Sequence, residues 1–498
     1  MNDSRLPIST VLSRERLLFV VVLLFVFTGN VSGQDVGVDL FHWPGGEPFV
    51  KAIVTRDGTY PGDVDSDLTE MELRLRGILA VVTGRNLAAL TRSCPRIKET
   101  VARPADAVVL YYLHLVTASG SKRTIGILQT PGGGLMGEES VGALTVIPMR
   151  APINAVRFTN ISNQWPRYRG SFHLPVDSGD GESVGDASDV TGKVFLLDQP
   201  YVCGRPYMDD RTIRNRGFVA ERNQEVGTTR ILANETIRVR LPVDYDAKKP
   251  AGLVVWVNAG PNGDPPDSFD EALDSQYFIC AGADDSGNER PVADRYQLAL
   301  DAVATVSARY HVDRRRVYVT GISGGGRISS MLYGAVPDVF TGTIAIVGLN
   351  FYKAVPTGDG RLWPATYRKP SGRYFGLMRR HRICAMTGPP DFNYQPIVGT
   401  IKAMLQAHLD AKLFSYDDMG HELPTADRFA EALAWVDGPY RKVRGKEVAS
   451  ATKLLERYHR QVGDSVEIND VRRKFLRKIM EAGPWSEASW EAWELLKR

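Results

Sequence analysis

The sequence predicts an α/β protein built on a parallel sheet that helices cover on both faces. Two observations carry the prediction. From about residue 226, short continuous apolar runs alternate with stretches of helical spacing, the pattern of strands buried on both faces and the helices that cover them. One of those runs ends in a serine framed by glycines, "VYVTGISGGGRISSML" at 317–332. A chain that turns this sharply between strand and helix either makes a tight corner or holds a serine up for use.

The elements follow in order. "TRILANETIRVRLPV" (229–243) alternates like a half-buried strand, and "GLVVWVNAG" (252–260) and "QYFICAGA" (276–283) are apolar runs closed by loop residues. "DRYQLALDAVATVSARY" (294–310) has helical spacing, and a strand over 316–321 and a helix over 324–335 flank the serine. "GTIAIVGLN" (342–350), "HRICAMTG" (381–388) and "KLFSYDD" (412–418) read as strands, with helices over 395–409 and 424–436 between and after them. Functional groups in such folds sit in the loops at the carboxyl ends of the strands.

Outside this core the texture changes. Residues 34–225 are expected to form a β-rich accessory region, with strands at "VVLYYLHLVT" (108–117) and "RTIGILQT" (123–130) and a helix over 67–80 capped by Asp67. The acidic, glycine-rich stretch 176–189 reads as an exposed loop, and Pro131-Gly132-Gly133-Gly134 lacks the Gly-Lys-Ser/Thr of a phosphate loop and reads as a turn. Residues 438–498, rich in Lys, Arg and Glu with scattered Leu and Trp, are expected to be a tail of two or three amphipathic helices, either docked on the body or serving as a binding module through Trp485, Trp490 and Trp493. The α/β region is thus bounded at 226–437.

Composition narrows the function. With 61 basic and 58 acidic residues in 498, the net charge of +3 gives no ground for a nucleic-acid partner. Arg5, Arg14 and Arg16 precede the apolar run Leu17–Phe27, which at 11 residues is short against the roughly 20 of a membrane span. With Val31-Ser32-Gly33 after it, the segment 1–33 reads as a cleaved signal peptide, implying a secreted or periplasmic protein with no membrane anchor. Of four cysteines, Cys280 and Cys384 lie in apolar strands and read as buried thiols; export would permit a disulfide among Cys94, Cys203, Cys280 and Cys384. Asn160 and Asn234 stand in Asn-x-Ser/Thr sequons.

The chemistry centres on Ser323 in Gly321-Ile322-Ser323-Gly324-Gly325. A Gly-x-Ser-x-Gly turn from strand to helix exposes the hydroxyl above the sheet and directs the Gly324 amide toward a developing oxyanion. A serine hydroxyl needs a base. Of the eight histidines, His381, His408, His421 and His459 follow it, and only His421, in "DDMGHELP", lies in a loop after a strand. Asp391 in "TGPPDFNYQ" is the better acid, since Asp417 and Asp418 would have to reach back. It would fix the imidazole tautomer and stabilise the imidazolium. A second oxyanion donor is sought at Ala259 or Gly260, because Pro261 has no amide proton.

Over 229–437 the sequence resembles the α/β-hydrolases. It is most similar to the secreted esterase branch that includes polyhydroxybutyrate depolymerases and feruloyl esterases, through "YHVDRRRVYVTGISGGGRISSML", "VPDVFTGTIAIVG", "TGPPDFNY" and "DDMGHELP". The resemblance implies an α/β-hydrolase parallel-sheet core with an N-terminal β-rich extension and a C-terminal helical tail. It implies Ser323 as nucleophile, Asp391 as acid and His421 as base, acting on an ester with no metal or organic cofactor. The family commonly has a His-Gly pair where this sequence has Asn258-Ala259-Gly260. Segment 351–380, with Tyr352, Trp363, Tyr367 and Tyr374, occupies the place of a lid and would contact an aromatic or polymeric acyl group. A serine peptidase of the same fold and a non-catalytic binding protein are the competing readings.

Overall fold

The computed structural model describes residues 47–55, 60–83 (less 63 and 65–67), 87, 108–129, 135–139, 146–149, 191–197, 204–217, 227–357, 360–462 and 469–497. The signal segment 1–33, the 131–134 turn, the loop 176–189, Asn160, Cys94 and Cys203 lie outside the described residues.

The chain opens with an antiparallel sheet. β1 (Phe49–Thr55) is followed by α1 (Glu70–Leu75), β2 (Ile78–Thr83), β3 (Val108–Thr117), β4 (Lys122–Gln129), β5 (Leu135–Glu139) and β6 (Val146–Met149). The strand order is β2-β1-β3-β4-β5-β6. The helix expected over 67–80 is shorter than its apolar spacing implied. Its N-cap is Thr69, in a capping box with Glu72, not Asp67. Gly77, at a φ of 69°, ends it, and the apolar run from Ile78 continues as strand, as β-branched residues favour.

The second sheet holds the core. β7 (Val194–Leu196) and α2 (Asp210–Asn215) lead into β8 (Ile237–Arg240), β9 (Ala251–Val257), α3 (Asp270–Gln276), β10 (Phe278–Ala283), α4 (Val292–Arg309), β11 (Val312–Ile322) and α5 (Gly324–Ala335). β12 (Gly342–Ile346), the two-residue β13 (Val355–Pro356) and β14 (Leu362–Trp363), α6 (Gly372–Met378), β15 (Arg382–Thr387), α7 (Tyr394–Gln406) and β16 (Asp410–Ser415) complete it. α8 (Ala426–Val462), α9 (Asp470–Ala482) and α10 (Glu487–Lys497) close the chain. The sheet runs β16-β15-β12-β11-β9-β10-β8-β7. Neighbours from β16 to β10 are parallel, and β8 is antiparallel to both β10 and β7.

Alternation along the strands sorts the two faces. Leu253, Val255 and Val257 face a core shared with Tyr296 of α4, Ile328 of α5 and Ile397 of α7. Val254 and Trp256 face the opposite core with Leu273 of α3 and Phe429, Leu433 and Val436 of α8. All seven residues of β9 are buried, as a strand between two helical layers requires. Cys280 and Cys384 are buried free thiols on the α3–α8 side.

Three expectations move. The core sheet starts well before residue 226: β7 pairs with β8, the Gly204 amide donates to Asp301 (2.7 Å), and Arg216 pairs with Asp338 (2.7 Å). The strand expected over 229–243 shrinks to β8, preceded by a 3₁₀ turn at Leu232–Asn234. The boundary placed at 437 falls inside one helix, α8, which runs on to Val462 through Pro439. A proline cannot donate to the carbonyl four residues back. Here that carbonyl, Trp435 O, accepts from Arg382 Nη1 at 2.7 Å, so a side chain replaces the missing amide and the helix continues.

The tail is docked, not free. Leu476, Ile479 and Met480 of α9 and Ala488 and Ala492 of α10 form a core with Ala451, Leu455 and Tyr458 of α8 and with Met71 of α1. Buried Glu72 of α1 pairs with Arg477 of α9 at 3.1 Å. Trp485, Trp490 and Trp493 pack partly buried against this core, and Trp485 meets the His311 ring edge-on at 4.5 Å.

Candidate active site

Ser323 joins β11 to α5 with φ 54° and ψ −114°. A non-glycine residue held there stores about 1–3 kcal/mol of strain. Its amide donates to Ile346 O at the end of β12, 2.8 Å away. A Cβ at either Gly321 or Gly325 would run into the carbonyl oxygen of Val257, so the glycines are demanded by the close passage of β9 beside the turn. Gly324 opens α5, and its amide makes no hydrogen bond to the protein among the described residues, as the first turn of a helix dictates.

The corner sits where the strand order reverses, at the carboxyl end of the sheet. Numbered from β7 as first, the sheet reads 1-2-4-3-5-6-7-8, with the second strand antiparallel and the strained serine after the fifth. The fold is that of an α/β-hydrolase.

Asp391 and His421 stand in the loops after β15 and β16. Asp391 is 3 % exposed. Its Oδ2 accepts from the Thr387 hydroxyl (2.7 Å), and its Oδ1 accepts from the Asn393 amide (3.0 Å) and from His421 Nδ1 (2.8 Å). An ionised carboxylate only accepts, so the imidazole proton lies on Nδ1 and Nε2 keeps the lone pair. Asn393 Nδ2 donates to Val347 O beyond β12 (2.8 Å), which ties this loop to the neighbouring strand. Phe392, 74 % exposed, lies over the imidazole with ring centres 4.1 Å apart.

The structure therefore brings His421 and Asp391 together and places Ser323 on the strained corner. Among the described residues no hydrogen bond joins Ser323 Oγ to His421. In hydrolases such contacts commonly tighten only with substrate in place. The other candidates are otherwise engaged. Asp418 is exposed and pairs with Arg428 (2.6 Å), Asp417 is exposed, and His459 pairs with Glu491 in the tail (2.7 Å). His381 precedes β15, at the opposite end of the sheet from the loops, and burial lowers its pKa to about 4. His408 is exposed after α7.

Of the two second-donor candidates, Gly260 already gives its amide to Asn258 Oδ1 (3.2 Å). Ala259 has no acceptor for its amide among the described residues, while its carbonyl accepts from the Asn288 amide (2.8 Å). The Asn288 side-chain oxygen lies against Gly324, where a Cβ would collide with it.

Sequence reading missed Arg295 of α4. Its guanidinium binds Ser286 O (2.6 Å), Asn258 O (2.9 Å) and Asn288 Oδ1 (3.2 Å). One buried cation thus holds the loop that meets Gly324 and the loop that meets Gly325, and none of its hydrogen-bond partners is a carboxylate. Desolvation lowers its pKa to about 10, which leaves it charged at neutral pH. Arginine on a helix with apolar spacing gives no local sign of this role; only the loops it gathers reveal it.

In segment 351–380, Tyr367 is buried against Gly334 and Tyr374 stacks on Arg216 (4.7 Å). Tyr352 packs with Tyr367 and Phe375. Tyr367 thus meets α5 near its end, whereas Trp363 lies by its first turn, against Arg327, with 4.4 Å from guanidinium to ring centre.

No family model matches the sequence, and no curated protein does. Solved structures similar to it include a ferulic acid esterase (15 % identity, 42 % of this chain, 92 % of the other, TM-score 0.33). The S-formylglutathione hydrolase FrmB of Staphylococcus aureus gives 12 %, 41 %, 92 % and 0.32. Esterase Est2 of Thermogutta terrifontis, in its propionate-bound form, gives 16 %, 41 %, 88 % and 0.31. At these scores the matches add nothing to the strand order, on which the fold assignment rests.

Proposed function

We propose that the protein is a serine hydrolase that cleaves carboxylic esters through an acyl-enzyme. The observation that carries this reading is the 2.8 Å bond from His421 to buried Asp391, in loops at the same end of the sheet as strained Ser323. His421 Nε2 takes the Ser323 proton as Oγ bonds to the ester carbonyl carbon. The tetrahedral oxyanion is received by the amides of Gly324 and Ala259. Collapse breaks the bond to the alcohol oxygen, which takes the proton from the imidazolium, and water then releases the acid by the reverse sequence. Asp391 keeps the proton on Nδ1 and steadies the imidazolium. The basic and apolar sequence of residues 5–27 favours placing this work in an exported protein.

The experiment is hydrolysis of p-nitrophenyl acetate, with a fluorophosphonate label, in wild type and Ser323→Ala. The expected result is loss of both labelling and at least a thousandfold of turnover, with an unchanged circular dichroism spectrum. Undiminished turnover in Ser323→Ala removes the reading. Peptide p-nitroanilides run in parallel separate an esterase from a peptidase, and a wild type that neither turns over nor labels is the binding protein.

A further inference from the structure

We infer that the site takes an ester carrying a second, anionic group, a carboxylate a few bonds from the scissile carbonyl, and that Arg327 holds it. The inference rests on the esterase reading and adds the substrate class.

Arg327 lies four residues after Ser323 on α5, a rise of about 6 Å. Side chains of a helix lean toward its N-terminus, so a residue at this spacing lies over the turn that carries the serine. The guanidinium is half-buried against two neighbours. Its Cζ lies 4.4 Å from the centre of the Trp363 ring, and at its edge Nη2 donates to Asn393 Oδ1 at 3.1 Å. Both neighbours are fixed. Trp363 Nε1 donates to Asn350 Oδ1 (3.3 Å), and Asn393 is tied to Val347 O and to Asp391.

Arg327 is incompletely satisfied. Its Nε is buried without a partner, and among the described residues no carboxylate pairs with it within 4.0 Å. Asp391 is the nearby acid, but its oxygens are committed to Thr387, Asn393 and His421. A planar fork stacked on an indole, with donors unspent, matches a carboxylate. Arg216, beyond the far end of α5, shows what pairing looks like in this molecule: it sits bidentate on Asp338 (2.7 and 3.1 Å). A half-buried guanidinium beside the nucleophile, denied such a partner by the fold, is completed by one on the substrate.

The test compares kcat/KM for p-nitrophenyl hemiglutarate and p-nitrophenyl butyrate, which differ on the acyl side. It also compares 4-acetoxybenzoate with phenyl acetate, which differ on the alcohol side. Each is corrected for spontaneous hydrolysis and measured in wild type, Arg327→Gln and Arg327→Lys. The expected result is a wild-type preference for the anionic member of one pair that falls roughly tenfold to a hundredfold in Arg327→Gln, chiefly through KM, and is partly kept in Arg327→Lys. The responding pair tells which side of the ester carries the anion. A ratio unchanged in Arg327→Gln for both pairs overturns the inference. If Arg327→Gln does not fold, judged by loss of fluorophosphonate labelling, wild type decides: glutarate must inhibit better than butyrate, and equal inhibition overturns it. Turnover of the neutral esters by wild type, with no charge preference, sinks this inference alone; absence of any ester turnover sinks the reading beneath it.

Discussion

Two groups of arginines, one at each end of the core sheet, meet their neighbours in different ways. Toward the amino ends of the strands, Asp437 of α8 is fully buried and takes Arg316 bidentately (2.9 and 3.1 Å), the Tyr318 hydroxyl (2.8 Å) and Arg441 (2.7 Å). Arg315 likewise joins Asp313 and Glu447. At the carboxyl ends, Arg295 and Arg327 are desolvated cations whose hydrogen bonds go to carbonyl groups and amide side chains. Paired charge at low dielectric contributes to holding elements in place. Unpaired charge costs stability, and on the reading proposed above it would be offset by a negative charge on the reacting substrate. The carboxyl ends hold paired ions as well, Arg290 with buried Glu235 and Asp294, so the open state belongs to Arg295 and Arg327 and not to the whole end.

That contrast is broken most severely at Asp437. Asp437→Ala would leave Arg316 buried without its carboxylate, a loss expected to cost about 3–5 kcal/mol. Thermal or urea unfolding should show it, while fluorophosphonate labelling of the folded fraction stays at the wild-type rate. A labelling rate that fell with stability would mean that the two ends are not separable.

Arg295→Met sharpens the other side. Without the cation, Asn258 O, Ser286 O and Asn288 Oδ1 lose their common donor, and the Ala259 amide loses its fixed position. Turnover is expected to drop about a hundredfold, the scale of losing an oxyanion donor, with KM little changed. Affinity for a boronic-acid analogue of the tetrahedral state should fall in step, and Arg295→Lys should recover part of both. Equal losses in KM and in analogue binding would reduce Arg295 to a packing role.

The smallest effect is expected at Arg382. Arg382→Ala strands Trp435 O inside α8 and removes the stacking on Trp435 (4.7 Å) and the ion pair with Asp410 (2.8 Å). An unmade buried hydrogen bond costs about 1–3 kcal/mol, read as a lowered unfolding midpoint. Hydrogen exchange should rise in α8 near Pro439 and not around Ser323.

Much of the core was legible because its signals are local. Strands buried on both faces are continuously apolar, as "GLVVWV" is, and the crowded corner at Ser323 writes its glycines into the sequence. The loops that hold His421 and Asp391 were readable as loops after strands, and the structure joins the two side chains there at 2.8 Å. The errors have local causes too. Helical spacing over 67–80 was interrupted by one left-handed glycine, and a tail that looks separable at 438 continues a helix whose proline is compensated from β15.

The sequence by itself determined the alternation of strands and helices, the sharp corner at Ser323 and the loops that carry Asp391 and His421, because period, glycine and turn chemistry act over a few residues. Only the tertiary structure decided that, among the described residues, Ala259 and not Gly260 has an amide without an acceptor and Arg327 has no carboxylate partner, that Arg295 gathers two loops, and that α1 docks on α9. Each depends on which groups distant along the chain share a dry space, and hydrogen-bond competition in that space leaves no periodic trace in the sequence.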